Sequence, residues 1–469
     1  MTNWLGNGPI WLLQNEQGSI LDVVSLIPQF GGFLYTVASF VIALSVIVAV
    51  HEYGHYIVGR WSGIHAEVFS LGFGPVLWSR VDKHGTRWQV ALLPFGGFVK
   101  FLGDANAASG KDEETMADAE ADPTLLRRTM HGAPLWARSA TVAAGPVFNF
   151  VLSILIFAGV FMVRGEPREP LTVGSLVPIP GLVNELQEGD EVFSIAGIKT
   201  PKISESEKWG EFRRQVPSEQ PMKYGVLRDG VEMVVNGPNF APSVVTSVVP
   251  RSAASSIGVM TGDVITAIDG EPIVAFAQLK EIVEAANGKV LLLSIWRDGQ
   301  TLELALAPRR VDEPQADGGF ATKWRIGIGG GLAFDLVSDR TAPMDALVDG
   351  GRQVWMVIET SLSGLKHMIS GAISSCNLSG PLGIAETSGA MASQGAQSFI
   401  WFIAVLSTAV GLLNLFPIPA LDGGHLMFYA YEAVTRKQPS DLAMRVLMTV
   451  GFGAILSLMV FALSNDIFC

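Results

Sequence analysis

Apolar and polar positions alternate along this chain in three regimes. In four stretches the apolar residues run on for long enough to cross a bilayer as helix, which takes about 20 residues. These are 33–50, 139–163, the most apolar part (399–413) of the stretch between Glu386 and Asp422, and 446–463. Charges bracket them: none falls between Asp22 and His51, Arg138 and Arg164 flank the second, and Arg445 precedes the fourth. Residues 64–102 alternate at the strand period around the turn Asp82-Lys83-His84-Gly85 and continue into Pro94-Phe95-Gly96-Gly97-Phe98-Val99, which predicts a β-hairpin. Val354, Ile358, Leu362, Leu365 and Ile369 recur at helical spacing, with Arg352, Glu359 and Lys366 between them. That pattern predicts an amphipathic helix over 351–369, lying on the outer membrane surface rather than spanning. The acidic run 111–122 reads as a mobile cytoplasmic loop.

Composition agrees with a membrane chain that carries a sizeable soluble part. Charged residues make up 16% and mean hydropathy is +0.37, against roughly a quarter charged in soluble domains. An apolar content of 49% excludes disorder, and a net charge of −12 without a basic block excludes nucleic acid as a partner. Two cysteines, Cys376 and Cys469, make no disulfide framework, and a structural bridge to the last residue is not expected. No basic residue precedes the first apolar stretch, so it reads as a span and not as a leader. Lysine and arginine crowd the loop between the first two stretches and recur at Arg436, Lys437 and Arg445 after the third. The positive-inside rule then puts both loops in the cytoplasm, and the N-terminus, the long 164–385 segment and the C-terminus outside.

That long segment repeats itself. Gly189-Asp190-Glu191-Val192-Phe193-Ser194-Ile195-Ala196-Gly197 parallels Gly262-Asp263-Val264-Ile265-Thr266-Ala267-Ile268-Asp269-Gly270, and each copy is followed by Arg-Asp-Gly, at 228–230 and 297–299. In the second copy a strand, an Asp-Gly turn, an amphipathic helix over 276–286 and an Asp-Gly hairpin follow in order. This order resembles bacterial PDZ domains, which take an extended peptide onto a sheet edge.

The first apolar stretch ends in His51-Glu52-Tyr53-Gly54-His55. Residues four apart on a helix lie about 40° apart around its axis, so both imidazoles face one way. That suits two ligands of one tetrahedral Zn²⁺, with Glu52 beside it as general base. A third ligand is sought in Asn414-Leu415-Phe416-Pro417-Ile418-Pro419-Ala420-Leu421-Asp422-Gly423-Gly424-His425, where two prolines open the helix. Spacing alone leaves Asp422 and His425 as competitors. His65, His84, His131 and His367 have no partner at ligand spacing and read as surface or interfacial residues.

Together, His51-Glu52-x-x-His55 and Asn414-x-x-Pro417-x-Pro419-x-Leu421-Asp422-Gly423 resemble the site-2 protease family of intramembrane zinc metalloproteases. The repeat between the second and third spans narrows the resemblance to the bacterial RseP type. Further matching pieces are Gly145-Pro146-x-x-Asn149-Phe150, Ser379-Gly380-Pro381-x-Gly383-Ile384-Ala385 and Phe69-Ser70-x-Gly72-Phe73-Gly74. The resemblance implies an α-helical polytopic membrane protein of four transmembrane helices, a membrane-associated β-hairpin and two tandem PDZ-like (α+β) domains. It divides the chain into an N-terminal extension (1–32), a first span (33–60), a hairpin and cytoplasmic loop (61–138) and a second span (139–163). PDZ-like domains (168–240 and 241–310), an outer region (311–395), a third span (396–430) and a fourth (446–464) complete it. It further implies that His51, His55 and Asp422 hold zinc, that Glu52 is catalytic and that Asn414 contacts substrate. The implied substrates are single-span membrane proteins of a bacterial inner membrane: anti-sigma factors or remnant signal peptides. The PDZ-like domains would stand in the periplasm and the active site toward the cytoplasm. A zinc transporter and a non-catalytic PDZ scaffold are the competing classes. Neither needs Glu52 as a base.

Overall fold

The computed structural model describes residues 18–105, 110–203, 205–315 and 319–468; of the expected N-terminal extension, 1–17 lie outside the described residues. Among the described residues four helices are long and apolar enough to cross a membrane: Gly32–Trp61, Leu135–Arg164, Ala396–Asn414 and Leu442–Phe468. Small residues let the first three approach closely, as membrane helices without a hydrophobic drive between them require. A Cβ on Gly54 of the first span would sit 2.6 Å from the Ala144 carbonyl oxygen of the second. Ser153 Oγ and Ser407 Oγ both donate to the Asn149 carbonyl at 2.9 Å, tying the second span to the third.

The third span stops at Asn414, and after the proline-containing segment 415–421 a new helix, Asp422–Thr435, begins at Asp422 itself. Its far end is fixed to the second span, where Arg138 donates to both carboxylate oxygens of Glu432 at 3.0 and 2.6 Å and lies over the Tyr429 ring.

The expected hairpin is present as Ala66–Val81 and Arg87–Phe101, but it is folded over on itself. Val68 to Leu71 pair on one side with Arg87 to Val90 and on the other with Gly97 to Lys100. The bends fall where Gly72 and Gly96 adopt φ of +86° and +129°. Phe69, Val99 and Phe101 pack against Tyr56 at the base, whereas Phe73, Leu77, Trp78 and Leu92 stand exposed. The acidic run is not the mobile loop its charge suggested. Asp112 caps a helix, Glu113–Glu120, whose Met116 and Ala119 are buried, so two apolar residues at helical spacing outweigh the surrounding carboxylates.

The two repeat copies form four-stranded sheets, each with one helix against it, Ser206–Gln215 and Phe276–Ala285. The repeated residues now have a physical reason. Arg228 donates to both carboxylate oxygens of Asp190 at 2.7 Å, and Arg297 does the same to Asp263 at 2.6 and 2.7 Å. The chain after the second unit then runs back. Ile328–Gly330 pairs with Val245–Val248, Phe334–Leu336 with Val173–Leu176, and Ser338–Asp339 with Glu166–Pro167. Ile326 belongs to the second unit's core, Ala333 and Phe334 to the first's.

Arg251 anchors the second unit to the membrane helices, reaching Asp466 at 3.1 Å and Glu386 at 3.1 Å. Asp466 also accepts from the backbone N–H groups of Gly380 and Gly383. The amphipathic helix, Pro343–Ile369, starts earlier than its apolar stripe suggested. It buries Ala346, Gly350 and Val354 and packs against the second and third spans, with Trp355 and Met356 exposed. Cys376 is disulfide-bonded, which corrects the expectation that the two cysteines make no structural bridge. Folding brings its segment onto the end of the last helix, where Asn465 donates to the Ser375 carbonyl at 2.8 Å. Cys469 itself lies outside the described residues.

Candidate metal centre

His51 and His55 sit on one face of the first span, with their Nε2 atoms 3.2 Å apart and their rings edge to face. Asp422, presented at the first turn of its helix by the break at 415–421, places Oδ2 3.2 Å from His51 Nε2 and 3.5 Å from His55 Nε2. Metal–ligand bonds of 2.0–2.1 Å in a tetrahedron give ligand–ligand edges of about 3.3 Å. The three atoms thus span one face of such a tetrahedron, and Asp422 Oδ2, though buried, is without a hydrogen-bond donor among the described residues. Among the described residues these are the one group of three or more donors close enough to hold an ion. The donor set of two imidazoles and a carboxylate, leaving one position open, is that of a catalytic zinc site.

The surroundings orient the ligands. His55 Nδ1 stands 2.9 Å from the Thr141 carbonyl, and His51 Nδ1 stands 3.2 Å from the Asn149 side-chain amide. Gly145 leaves room for both rings, since a Cβ there would lie 2.8 Å from His51 Cε1 and closer still to His55. Glu52, next in the chain, meets the hairpin: the Val99 backbone is hydrogen-bonded to it, and a Cβ on Gly97 would come within 3.0 Å of its Cγ.

One cavity of about 530 Å³ joins these groups, lined by His51, Glu52, His55, Asn414, Asp422 and His425. All five residues singled out as site residues therefore border the same space. His425 borders it without joining the donor triangle. Spacing did not identify Thr141, Gly145 or Asn149 as supports, although the last two stand in the Gly145-Pro146-x-x-Asn149 motif. His131 is not a bare surface histidine either: Nε2 lies 3.3 Å from the buried carboxylate of Asp104. Burial raises that carboxyl above its ordinary range, with His131 opposing.

Four spans, a helix-borne pair of histidines with a glutamate between them and an aspartate supplied by a broken helix define a membrane-embedded metalloprotease. The family model described as Peptidase family M50 matches residues 39–458. A Rhizobium meliloti protein named as a zinc metalloprotease is 35% identical over 437 residues, covering 92% of this chain and 96% of the relative. The regulator of sigma-E protease of Salmonella typhimurium is 32% identical over 457 residues, and RseP of Escherichia coli, also a regulator of sigma-E protease, 32% over 469, each covering 92% of this chain and 98% of the relative. The chain belongs to peptidase family M50, the site-2 protease family, and is a zinc metalloprotease of the membrane.

Proposed function

We propose that the protein hydrolyses peptide bonds of single-span membrane proteins inside the bilayer, with His51, His55 and Asp422 as zinc ligands and Glu52 as the general base. The observation that carries this reading is the meeting of the donor triangle, Glu52 and the hairpin edge at Gly97–Val99 around one cavity. Zinc held there supplies Lewis acidity toward a peptide carbonyl and toward water. Glu52 takes a proton from the attacking water as its oxygen bonds to the carbonyl carbon. The same carboxyl returns that proton to the amide nitrogen as the C–N bond breaks. Asn414, on the cavity wall, donates a hydrogen bond to the substrate backbone.

A transmembrane helix hides its carbonyls in its own hydrogen bonds, so a substrate must unwind before attack. Among the described residues the strand Gly97 to Lys100 pairs with Val68 to Leu71 along one edge, and its other edge is where an unwound segment adds as a further strand. Single-span substrates with helix-weakening residues near the cytoplasmic end fit this arrangement. The sigma-E-regulator relatives point to anti-sigma factors, and remnant signal peptides offer the same chemistry.

The two β units are read as PDZ-like domains in the periplasm that exclude bulky outer domains or read a trimmed C-terminus. The metal centre lies toward the cytoplasmic face of a bacterial inner membrane. The crowding of Lys and Arg between the first two spans supports that orientation, and so does the Cys376 disulfide, since such bonds persist on the oxidising side. The test is cleavage of single-span substrates by the purified protein in vesicles without ATP. Wild type cuts; Glu52→Gln retains zinc and does not cut. Persistent cutting by Glu52→Gln overturns the mechanism.

A further inference from the structure

Asn149 is fully buried in the second span, and among the described residues its side-chain amide has one hydrogen-bonding neighbour, the Nδ1 of His51, which stands 3.2 Å from Asn149 Nδ2. Its Oδ1 is buried and has no partner among the described residues. The residue is held from several sides: its carbonyl accepts from Ser153 and Ser407, and the third span approaches so closely at Gly411 that a Cβ there would lie 3.2 Å from Asn149 Cβ. An amide so confined can do little but turn about its last bond and present either oxygen or nitrogen to the imidazole.

Which atom it presents depends on the other ring nitrogen. With Nε2 committed to a metal ion, a neutral imidazole carries its proton on Nδ1 and needs an acceptor there. His55 has one in the Thr141 carbonyl at 2.9 Å. Among the described residues His51 has no such carbonyl, and an amide nitrogen facing Nδ1–H would set donor against donor. We infer that Asn149 is a positioning residue for His51: its Oδ1 accepts the Nδ1–H hydrogen bond, holds the ring in the metal-binding tautomer and aims Nε2 at the ion. This inference rests on the zinc reading of His51, His55 and Asp422, and it adds to that site a fourth residue that touches neither ion nor substrate.

The two imidazoles are thus secured differently. That of His55 is held by main chain, which no side-chain substitution removes. That of His51 depends on a single side-chain oxygen. Removing an outer partner of a ligating histidine typically costs 10–100-fold in metal affinity, and the cost here falls on one residue.

The experiment is zinc competition against a chromogenic chelator, on full-length protein in detergent, comparing wild type with Asn149→Leu, Asn149→Asp and His51→Ala. Leu keeps the shape and removes the acceptor; Asp keeps shape and acceptor. Asn149→Leu is expected to bind zinc 10–100-fold more weakly than wild type, while Asn149→Asp stays within a few-fold. Equal affinity of Asn149→Leu and wild type overturns the inference. Equal losses in Leu and Asp also overturn it, because packing rather than an acceptor would then be at stake. If wild type binds no zinc, or His51→Ala binds it as tightly as wild type, the underlying site assignment falls instead. Circular dichroism of each metal-stripped variant shows whether a loss reflects the site or the fold.

Discussion

Asp422 Oδ2 stands 3.2 Å from His51 Nε2 although the two residues come from opposite ends of the membrane part of the chain. Two features make the meeting possible. The prolines end the third span at Asn414 so that a fresh helix can start with Asp422, and Arg138 fixes the far end of that helix through Glu432. Asp422→Ala is therefore expected to lose zinc and all cleavage, while His425→Ala keeps its zinc. Metal content by plasma emission on the purified variants decides between them. A zinc-free His425→Ala would return the competitor to the site.

Gly145→Ala separates the site from the fold. Replacing glycine in a helix interior by alanine normally stabilises by about 0.5–1 kcal/mol. Here the new methyl would press on both imidazoles, 2.8 Å from His51 Cε1. Overpacking of about 1–3 kcal/mol offsets that gain, so the expected outcome is a protein that still folds, melts near or slightly below wild type, binds zinc at least 10-fold more weakly and cuts correspondingly slowly.

The parts of the fold written in local pattern were legible in the sequence. The four spans, the hairpin and the two β units follow from continuous or alternating apolar runs, and the histidine pair from helical spacing. What depends on distant partners was not. Val354 and Ile358 announced an amphipathic helix, but nothing local marks Gly350 as a contact with the Ile154 carbonyl. Met116 and Ala119 are too few to outweigh acidic neighbours in any pattern count, yet they are buried. Asp422 and His425 are equivalent donors by spacing, and only the three-dimensional path of 415–421 separates them. The return of Phe334 to the first unit has no local signal at all.

That return has a consequence for stability. Phe334 is 1% exposed and packs with Tyr224 and Phe240, although the whole second unit intervenes in sequence. Truncating a buried phenylalanine to alanine costs about 3–5 kcal/mol. Phe334→Ala should therefore speed hydrogen exchange at Glu191–Ile195 and Met222–Arg228 far more than at Val264–Ile268. Equal effects on both units would show that they unfold as one body.

Arg138 and Glu432 form a largely enclosed pair, 9% and 16% exposed at the side chains. Removing one partner of such a pair strands the other, at about 3–5 kcal/mol. Arg138→Met is expected to loosen the helix that carries Asp422 and so weaken zinc binding. The double variant Arg138→Met, Glu432→Leu should recover much of the loss, because no unpaired charge remains. Zinc competition on wild type and the two variants reads the recovery directly, and a double variant as weak as the single one would assign the effect to lost packing on Tyr429.

Acid should act selectively on the first β unit through Asp190. Burial alone would raise its carboxyl, but the hydrogen bonds from Arg228 and the Gln187 N–H outweigh burial and hold it below the ordinary value. A carboxyl whose folded pKa is depressed adds stability above its unfolded value near 3.9. That contribution fades as pH falls through the folded value. At pH 7 Asp190→Asn, which gives up the charge, should weaken the unit by about 2 kcal/mol, the scale of hydrogen bonds to a charged group. Once pH has fallen through that folded value the native carboxyl is itself protonated, so variant and wild type should converge. Hydrogen exchange at Met222–Arg228, corrected for intrinsic rates, measures both limits. A difference that persists undiminished in acid would mean that Asp190 acts through shape and not through its charge.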